Sequence, residues 1–549
     1  MSPHDDTDLP AYKTHLHAAA TSALSLVGPT IHEIELVLSR LTPRVISPTH
    51  TGLPSFIKDF QREGRSIQRA VQDVDGTPKK DEEKEWERVK KISAKINASA
   101  TAIEQTILLW SVLKRCRSLR AVNQTFQSST REMRREAIAK NEASAEATSQ
   151  GRDRAQMHRE LKEKARVDVQ VVERGFEWLD LRPVNLDRLG RQMTDAGWGW
   201  GEHELGDAVD EDEWEGALLA RQVRKLADAA SMNRHEYRIP RVRVVLPNVR
   251  RGVNEDVDVF LEQLERTHPH VQVTIEDGGS EFLQGEPPDI EQAVENLVGS
   301  EWEDLTDVIN LDHTILIDLI SDITHSKLEP QPWQAKTTQS QIEEENESPG
   351  GVMAKALYPT LRGRKLICTK EAAEHFHEVL QTVGTTTERQ RGHILIPDPA
   401  SPSPLAVSAS EASNAPRLHE RFSALSIHPP PQDFQVPVTI LPNPIDFEGA
   451  VRDGRLPRVA LDVARCGGFK SAKLSIYMHG WMEDIVTVTS NKEIRGHIRT
   501  WIEANRRPGE EAALGPRIYR FDMTRNLLAK SATPPDGWEG VSQGAGSEA

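Results

Sequence analysis

The sequence predicts an α/β protein with a helical N-terminal region, a middle α/β segment and a C-terminal α/β domain built on a mostly parallel sheet. Three observations carry this. Apolar residues recur at spacings of three and four through roughly the first 160 positions, as in Ile31, Ile34, Leu38 and Leu41, which is the period of an amphipathic helix. Short apolar runs then alternate with helical stretches, the order of βαβ units. Several of the later runs end in acidic or polar residues, and an open parallel sheet binds its ligands outside those ends.

In the N-terminal region, residues 1–160, a long helix is predicted over 83–119. There Trp86, Val89, Ile92, Ile96, Ile103, Ile107 and Leu108 form one stripe. Arg131, Arg134, Arg135, Lys140, Arg152 and Arg154 read as a solvated helix face. The apolar stripes exceed what one core absorbs, which leaves room for a helix-in-groove interface with a protein partner.

The middle segment, residues 161–300, changes period. Val167–Val172 (VDVQVV) alternates, and Phe176–Leu181 (FEWLDL) follows Arg174-Gly175, so a hairpin is expected. The stretch GWGWGEHELGD from Gly197 reads as a loop whose tryptophans pack onto a neighbouring surface. A helix over 218–230, a strand over 242–246, a helix over 260–264 and a strand over 271–275 follow.

Residues 301–531 repeat the pattern. Strands are predicted over 308–311, 365–368, 393–396, 436–441, 459–464, 485–489 and 517–521, with helices over 314–323, 371–383 and 492–504. Two insertions interrupt them: 329–351, rich in Pro, Gln, Glu and Ser, and 398–435, rich in Pro, Ser and Ala. Both are expected to be disordered, as is the tail 532–549.

Charge and cysteine content narrow the function. With 68 Lys and Arg against 84 Asp and Glu, the formal charge is −16, so a general polyanion-binding coat is excluded. Cys116, Cys368 and Cys466 are far apart and odd in number, which supports neither a disulfide framework nor a zinc ribbon. No run approaches the ~18–20 apolar residues that cross a bilayer. Met1–Pro10 is acidic and lacks the apolar centre of a secretory signal. A cytoplasmic or nuclear protein without a membrane partner is expected.

Familiar motifs are absent. Gly467–Ser471 (GGFKS) lacks the spacing of a phosphate loop, and the pairs His313/His325 and His375/His377 lack a third zinc ligand. What remains is a set of strand-end residues. Asp312 ends the strand 308–311 and would equally cap the helix after it. Glu371 and Glu374 open the helix after 365–368, where Glu371 also suits the positive end of the helix dipole. Asp484 precedes the strand 485–489, and Ser490-Asn491 close it. Converging carboxylates would hold Mg²⁺ or Mn²⁺, hard cations that prefer oxygen ligands. Such ions activate water and stabilise charge on a phosphodiester, so an acidic chain can act on RNA.

The segments GFEWLDLRPVN from Gly175, YRIPRVRVVLPN from Tyr237, INLDHTILIDLISDITH from Ile309, KLICTKEAAEHFHEVLQTVGTTTERQR from Lys365 and IVTVTSNKEIRG from Ile485 resemble an uncharacterised eukaryotic family, domain-of-unknown-function family 1308. Its C-terminal domain is regarded as PIN-like, a small α/β fold with a parallel sheet that in many members is a Mg²⁺- or Mn²⁺-dependent ribonuclease. The resemblance implies that Asp312 takes the first acidic position, and that Glu371 or Glu374 takes the second. Thr489-Ser490-Asn491 then stands at the T-x-[DN] step. Asn491 places an amide where active members usually keep aspartate, which weakens metal binding; Asp484 or Asp522 would compensate if near.

Two functions follow as expectations. One is a metal-dependent endoribonuclease using Asp312, Glu371, Glu374 and Asn491, with Asp484 as a further ligand. The other is a non-catalytic PIN-like adaptor in which the same residues cap helices and the helical half recruits a protein. A small-molecule enzyme using the strand-end crevice is a third.

Overall fold

The computed structural model describes residues 8–41, 51–76, 81–145, 154–300, 302–398, 403–442, 446–468, 471–507, 509–510, 513–528, 531 and 533–534. The chain divides into two compact units, Met1–Ser300 and Glu301–Ala549, and each is considered by itself.

The first unit starts with three long helices, α1 (Leu9–Leu41), α2 (Leu53–Val74) and α3 (Glu82–Leu113). Asp81 caps α3 by accepting from the Glu83 and Lys84 amides, a side-chain oxygen satisfying donors that the helix leaves unpaired. Gly52 enters α2 at φ +72°, and a Cβ there would collide with the Val122 carbonyl, so only glycine fits. One part of each stripe packs helix on helix, with Leu16, Phe60, Ile67, Val89 and Ile96 in one cluster. The remainder, including Ile34, Val37, Phe56 and Trp110, packs on a sheet. The apolar surplus read from the sequence is therefore taken up within this unit.

That sheet holds β1 (Leu119–Gln127), β2 (Arg166–Glu173), β3 (Glu177–Leu181), β4 (Arg241–Leu246) and β5 (Val273–Asp277) in sequential order. The pairs β1/β2 and β2/β3 are antiparallel, and β3/β4 and β4/β5 are parallel. Alternate residues serve opposite faces: Val171, Leu179 and Val245 meet the long helices. Val172, Trp178, Val242 and Val244 meet Val223, Phe260 and Leu264 from two later helices. Burial on both faces explains the apolar Val242, Val244, Val245 and Leu246 of the VRVVL run. The expected helix over 83–119 ends at Leu113 instead, because the stripe's continuation, Cys116, Leu119 and Val122, joins the sheet-side core and periodicity alone does not separate the two.

The second unit carries β6 (Val308–Leu311), β7 (Lys365–Cys368), β8 (Thr439–Ile440), β9 (Val486–Thr489) and β10 (Ile518–Arg520). They form one sheet in the order β10-β9-β6-β7-β8, and every pairing is parallel. The chain builds outward from β6 to β7 and β8, then crosses back to place β9 on the other side of β6.

Three sequence expectations are corrected here. Residues 393–396 are not a strand; they end the helix Thr386–Leu395, which begins in a capping box of Thr385 and Glu388. Residues 459–464 lie in the helix Val459–Cys466. Among the described residues, both insertions carry packed helices rather than disorder. The stretch 329–351 contains the helix Lys336–Glu347, with Ile342 and Glu345 buried. Within 398–435, the helix Ala415–Ala424 buries Leu418 and Phe422, and Phe434 is buried beyond it. Composition suggested solvation, yet these few apolar residues are spaced to meet the core. The predicted tail, apart from 533–534, and Phe469 and Lys470 of the GGFKS stretch lie outside the described residues. Among the described residues no helix is long and apolar enough to cross a membrane.

Phe422 is fully buried and meets the His325 ring edge-on at 5.5 Å. Phe422→Ala is therefore expected to lower the stability of residues 301–549 by about 3–5 kcal/mol, the usual cost of an aromatic core truncation. Urea unfolding checks this; a midpoint equal to the parent's would mean that the stretch does not pack as described.

Candidate functional site at the sheet switch point

The strand order reverses between β6 and β9, and in open α/β sheets the crevice outside the carboxyl ends at such a point is where ligands bind. Register sets what meets there. Ile309 lies opposite Val486, Asn310 opposite Thr487 and Leu311 opposite Val488, so Asp312 and Thr489 leave the sheet side by side. Asn310 is fully buried beneath them and donates to the Ile476 carbonyl at 2.8 Å and the Thr487 hydroxyl at 3.0 Å.

Asp312 is 1% exposed. Its Oδ2 accepts from the hydroxyls of Thr489 at 2.5 Å, Tyr477 at 3.1 Å and Thr314 at 3.2 Å. Its Oδ1 lies 2.6 Å from His313 Nδ1, off the line of a hydrogen bond. Burial pushes the carboxyl's pKa up, but His313 and the Thr489 and Tyr477 hydroxyls outweigh it and hold the group below its ordinary value. Asp312 also occupies the N-cap position of the helix His313–Asp318, without a side-chain capping bond; its Oδ2 is committed elsewhere.

A cleft of about 720 Å³ has a lining that includes Glu371, Glu374, His375, Asn491 and Trp501, but not Asp312. Three of the expected residues thus share one cleft. Thr369 caps the helix Lys370–Val383 that presents the two glutamates. Glu371 is half-buried, and its Oε2 has no hydrogen-bond partner among the described residues. Glu374 is exposed and lies 3.9 Å from Lys370, an exposed pair of little energetic weight. Asn491 is occupied: its Oδ1 accepts from the Glu493 and Ile494 amides at the start of the helix Ile494–Asn505. Asp484 is not in the cleft. It is exposed and precedes β9, a strand-length of about 13 Å from the end where Asp312 sits. Asp522 follows β10 and pairs with Arg520 at 2.6 Å.

The sequence reading missed several participants. Asp318, also 1% exposed, accepts from the Arg525 amide at 2.7 Å and the Ser490 hydroxyl at 3.1 Å. Burial drives its pKa up to about 7, against those two bonds, and the Asp312 charge adds to the rise. The one signal was an aspartate inside the apolar run ILIDLI. Tyr477 offered none. The histidines pair differently from their sequence spacing: the His313 and His375 rings meet edge-on at 4.9 Å, while His377 stacks with His393 at 5.3 Å. His325 is buried between the Ser426 hydroxyl and the Leu319 carbonyl.

Residues 309–399 match the family described as "Protein of unknown function (DUF1308)". The resemblance to that family is thereby supported over β6, β7 and the helices between and after them. No curated protein matches the chain, and no solved structure does.

The residues present do not fit a Mg²⁺ or Mn²⁺ ion as they are arranged. Three hydroxyl donors fill Asp312 Oδ2, His313 covers Oδ1, and the Asn491 amide oxygen is a helix cap. Among the described residues no group of three or more His, Cys, Asp or Glu side chains is placed to hold a metal.

Asp318 yields a prediction about pH. Its folded pKa is raised to about 7 from an ordinary 3.8, so its contribution to stability is fully present below about pH 3.8 and is lost as pH rises to about 7. Asp318→Asn keeps an acceptor for Arg525 and offers a donor to Ser490, and it does not ionise. Relative to the parent, the variant is expected to gain about 1–3 kcal/mol between pH 4 and pH 7.5. Urea unfolding at both pH values decides it; an unchanged difference between the two proteins would sink it.

Proposed function

We propose that residues 301–549 form a PIN-like domain that works as a non-catalytic interaction module, with the switch-point cleft as its binding surface. The parallel sheet, Asp312 after β6 and the Thr489-Ser490-Asn491 step after β9 support the PIN-like assignment. The observation that carries the non-catalytic part is Asp312 itself: buried, filled by three hydroxyl donors and closed off by His313. A carboxylate so engaged anchors β6 to β9.

The cleft suits a basic protein segment. Glu371, Glu374, Glu378 and Glu493 line it against Lys473, with Ile494 and Trp501 as apolar contacts. Acidic side chains with few cations favour a positively charged partner and disfavour a bare phosphate backbone. One observation favours the alternative, a metal-dependent endoribonuclease acting on RNA: Glu371 and Asn491 share the cleft, and Glu371 Oε2 lacks a partner among the described residues.

Two assays separate these. Fluorescence anisotropy with labelled oligolysine is expected to show binding that weakens at least ten-fold in Glu371→Gln/Glu374→Gln/Glu493→Gln. Calorimetric titration with Mn²⁺, together with a single-stranded RNA cleavage assay, is expected to show no Mn²⁺-dependent cleavage by the parent. Cleavage by the parent that disappears in a folded Asp312→Asn variant would replace the interaction module with the nuclease.

A further inference from the structure

A second, smaller cavity lies in the first unit, on the outer side of the helix Leu218–Met232. That helix buries Leu219, Ala220, Val223, Leu226 and Ala227 against the sheet. Arg221, Arg224, Lys225 and Asp228 fall at spacings of three and four on its other side, so they share one face. With Trp214 and Glu215 before the helix and Thr267 from a neighbouring turn, they line a cavity of about 170 Å³.

The lining holds buried donors with nothing to donate to. Trp214 is 5% exposed and Thr267 is 4% exposed. Neither Trp214 Nε1 nor Thr267 Oγ1 has a hydrogen-bond partner among the described residues, and the buried Arg224 Nε lacks one too. Native proteins rarely leave such groups unpaired. One water cannot serve all three, because it has two lone pairs and no charge. A tetrahedral oxyanion supplies several acceptor oxygens and a negative charge together.

The electrostatics agree. The Glu215 carboxylate is held by the Arg224 guanidinium, while Arg221 and Lys225 are exposed at the rim, leaving three cations against two carboxylates in the lining. We propose that this cavity binds a single oxyanion of phosphate or sulfate size. Its volume is below the ~300 Å³ at which ordinary small-molecule pockets begin, so it admits a free anion and has no room for the nucleoside of a nucleotide.

Calorimetric titration of the full chain with inorganic phosphate, sulfate and 5′-AMP, each at an ionic strength held constant with NaCl, tests this. Phosphate and sulfate are expected to bind, and AMP at least ten-fold more weakly. Arg221→Gln/Lys225→Gln alters two exposed side chains and is expected to weaken phosphate at least ten-fold. Thr267→Val removes one donor at nearly constant shape and is expected to weaken it several-fold. Absence of binding beyond chloride, or equal binding by parent and both variants, would overturn the proposal. AMP binding as tightly as phosphate would overturn the free-anion assignment.

Discussion

The parallel pairing of β6 with β9 is the constraint on which the second unit depends. It brings two strands distant in sequence into contact, at Ile309/Val486 and Leu311/Val488, and so delivers Asp312 and Thr489 to one point. Burying a carboxylate is unfavourable unless hydrogen bonds replace its hydration. Here three hydroxyls from three segments do so, which makes Asp312 a reporter of correct assembly. Tyr477 comes from the helix Ser471–Met482, Thr489 from β9 and Thr314 from the helix His313–Asp318 after β6, so Asp312 Oδ2 is satisfied only when all three are in place.

The same logic explains why stretches with the composition of linkers are folded. Arg391 is 1% exposed; it pairs with Asp322 and donates to the carbonyls of Ile320 at 2.9 Å and Leu425 at 2.8 Å. Arg525 is also buried and pairs with Glu345 at 2.8 Å. Leu425 and Glu345 belong to the two stretches expected to be disordered. Removing 329–351 would take both carboxylate partners from Arg525, and an uncompensated buried charge costs several kcal/mol; removing 398–435 would take one carbonyl acceptor from Arg391. Glu388 adds a third tie, accepting from the Asp322, Thr385 and Leu528 amides; burial raises its pKa to about 7. These contacts spend little apolar area, which is why hydrophobic composition gave no sign of them.

What could be read in advance was the part governed by local periodicity. The hairpin around Arg174-Gly175 was legible because alternation and turn chemistry agreed, and both turn residues have positive φ, 54° and 87°. Asp312, Glu371, Glu374 and Asn491 were legible as strand-end or helix-start residues, and three of them do line one cleft. The failures share a cause. HILI at 393–396 and VALDVA at 459–464 are apolar enough for either element, and only the Thr385 capping box or the packing around them decides. Asp484 looked equivalent to Asp312 because one-dimensional distance from a strand does not say which end of a parallel sheet is meant. Tyr477 and Asp318 were invisible as partners, because their roles exist only once β6 and β9 lie together.

Asn491 then takes on a different meaning from that of a weakened ligand. Its amide NH donates to Thr489 Oγ1 at 3.1 Å, and that hydroxyl donates to Asp312. Its side-chain oxygen accepts from the Glu493 and Ile494 amides at the entry to the helix Ile494–Asn505, a task aspartate performs as well. Capping therefore does not require the amide; charge distinguishes the two residues. Asp312 and Asp318 already share this corner, and the first raises the pKa of the second. A third carboxylate at 491 would add like-charge repulsion beside two acids that are already buried. Asparagine keeps the cap and the bond to Thr489 while omitting that charge, which suits a switch point built to stay closed around Asp312.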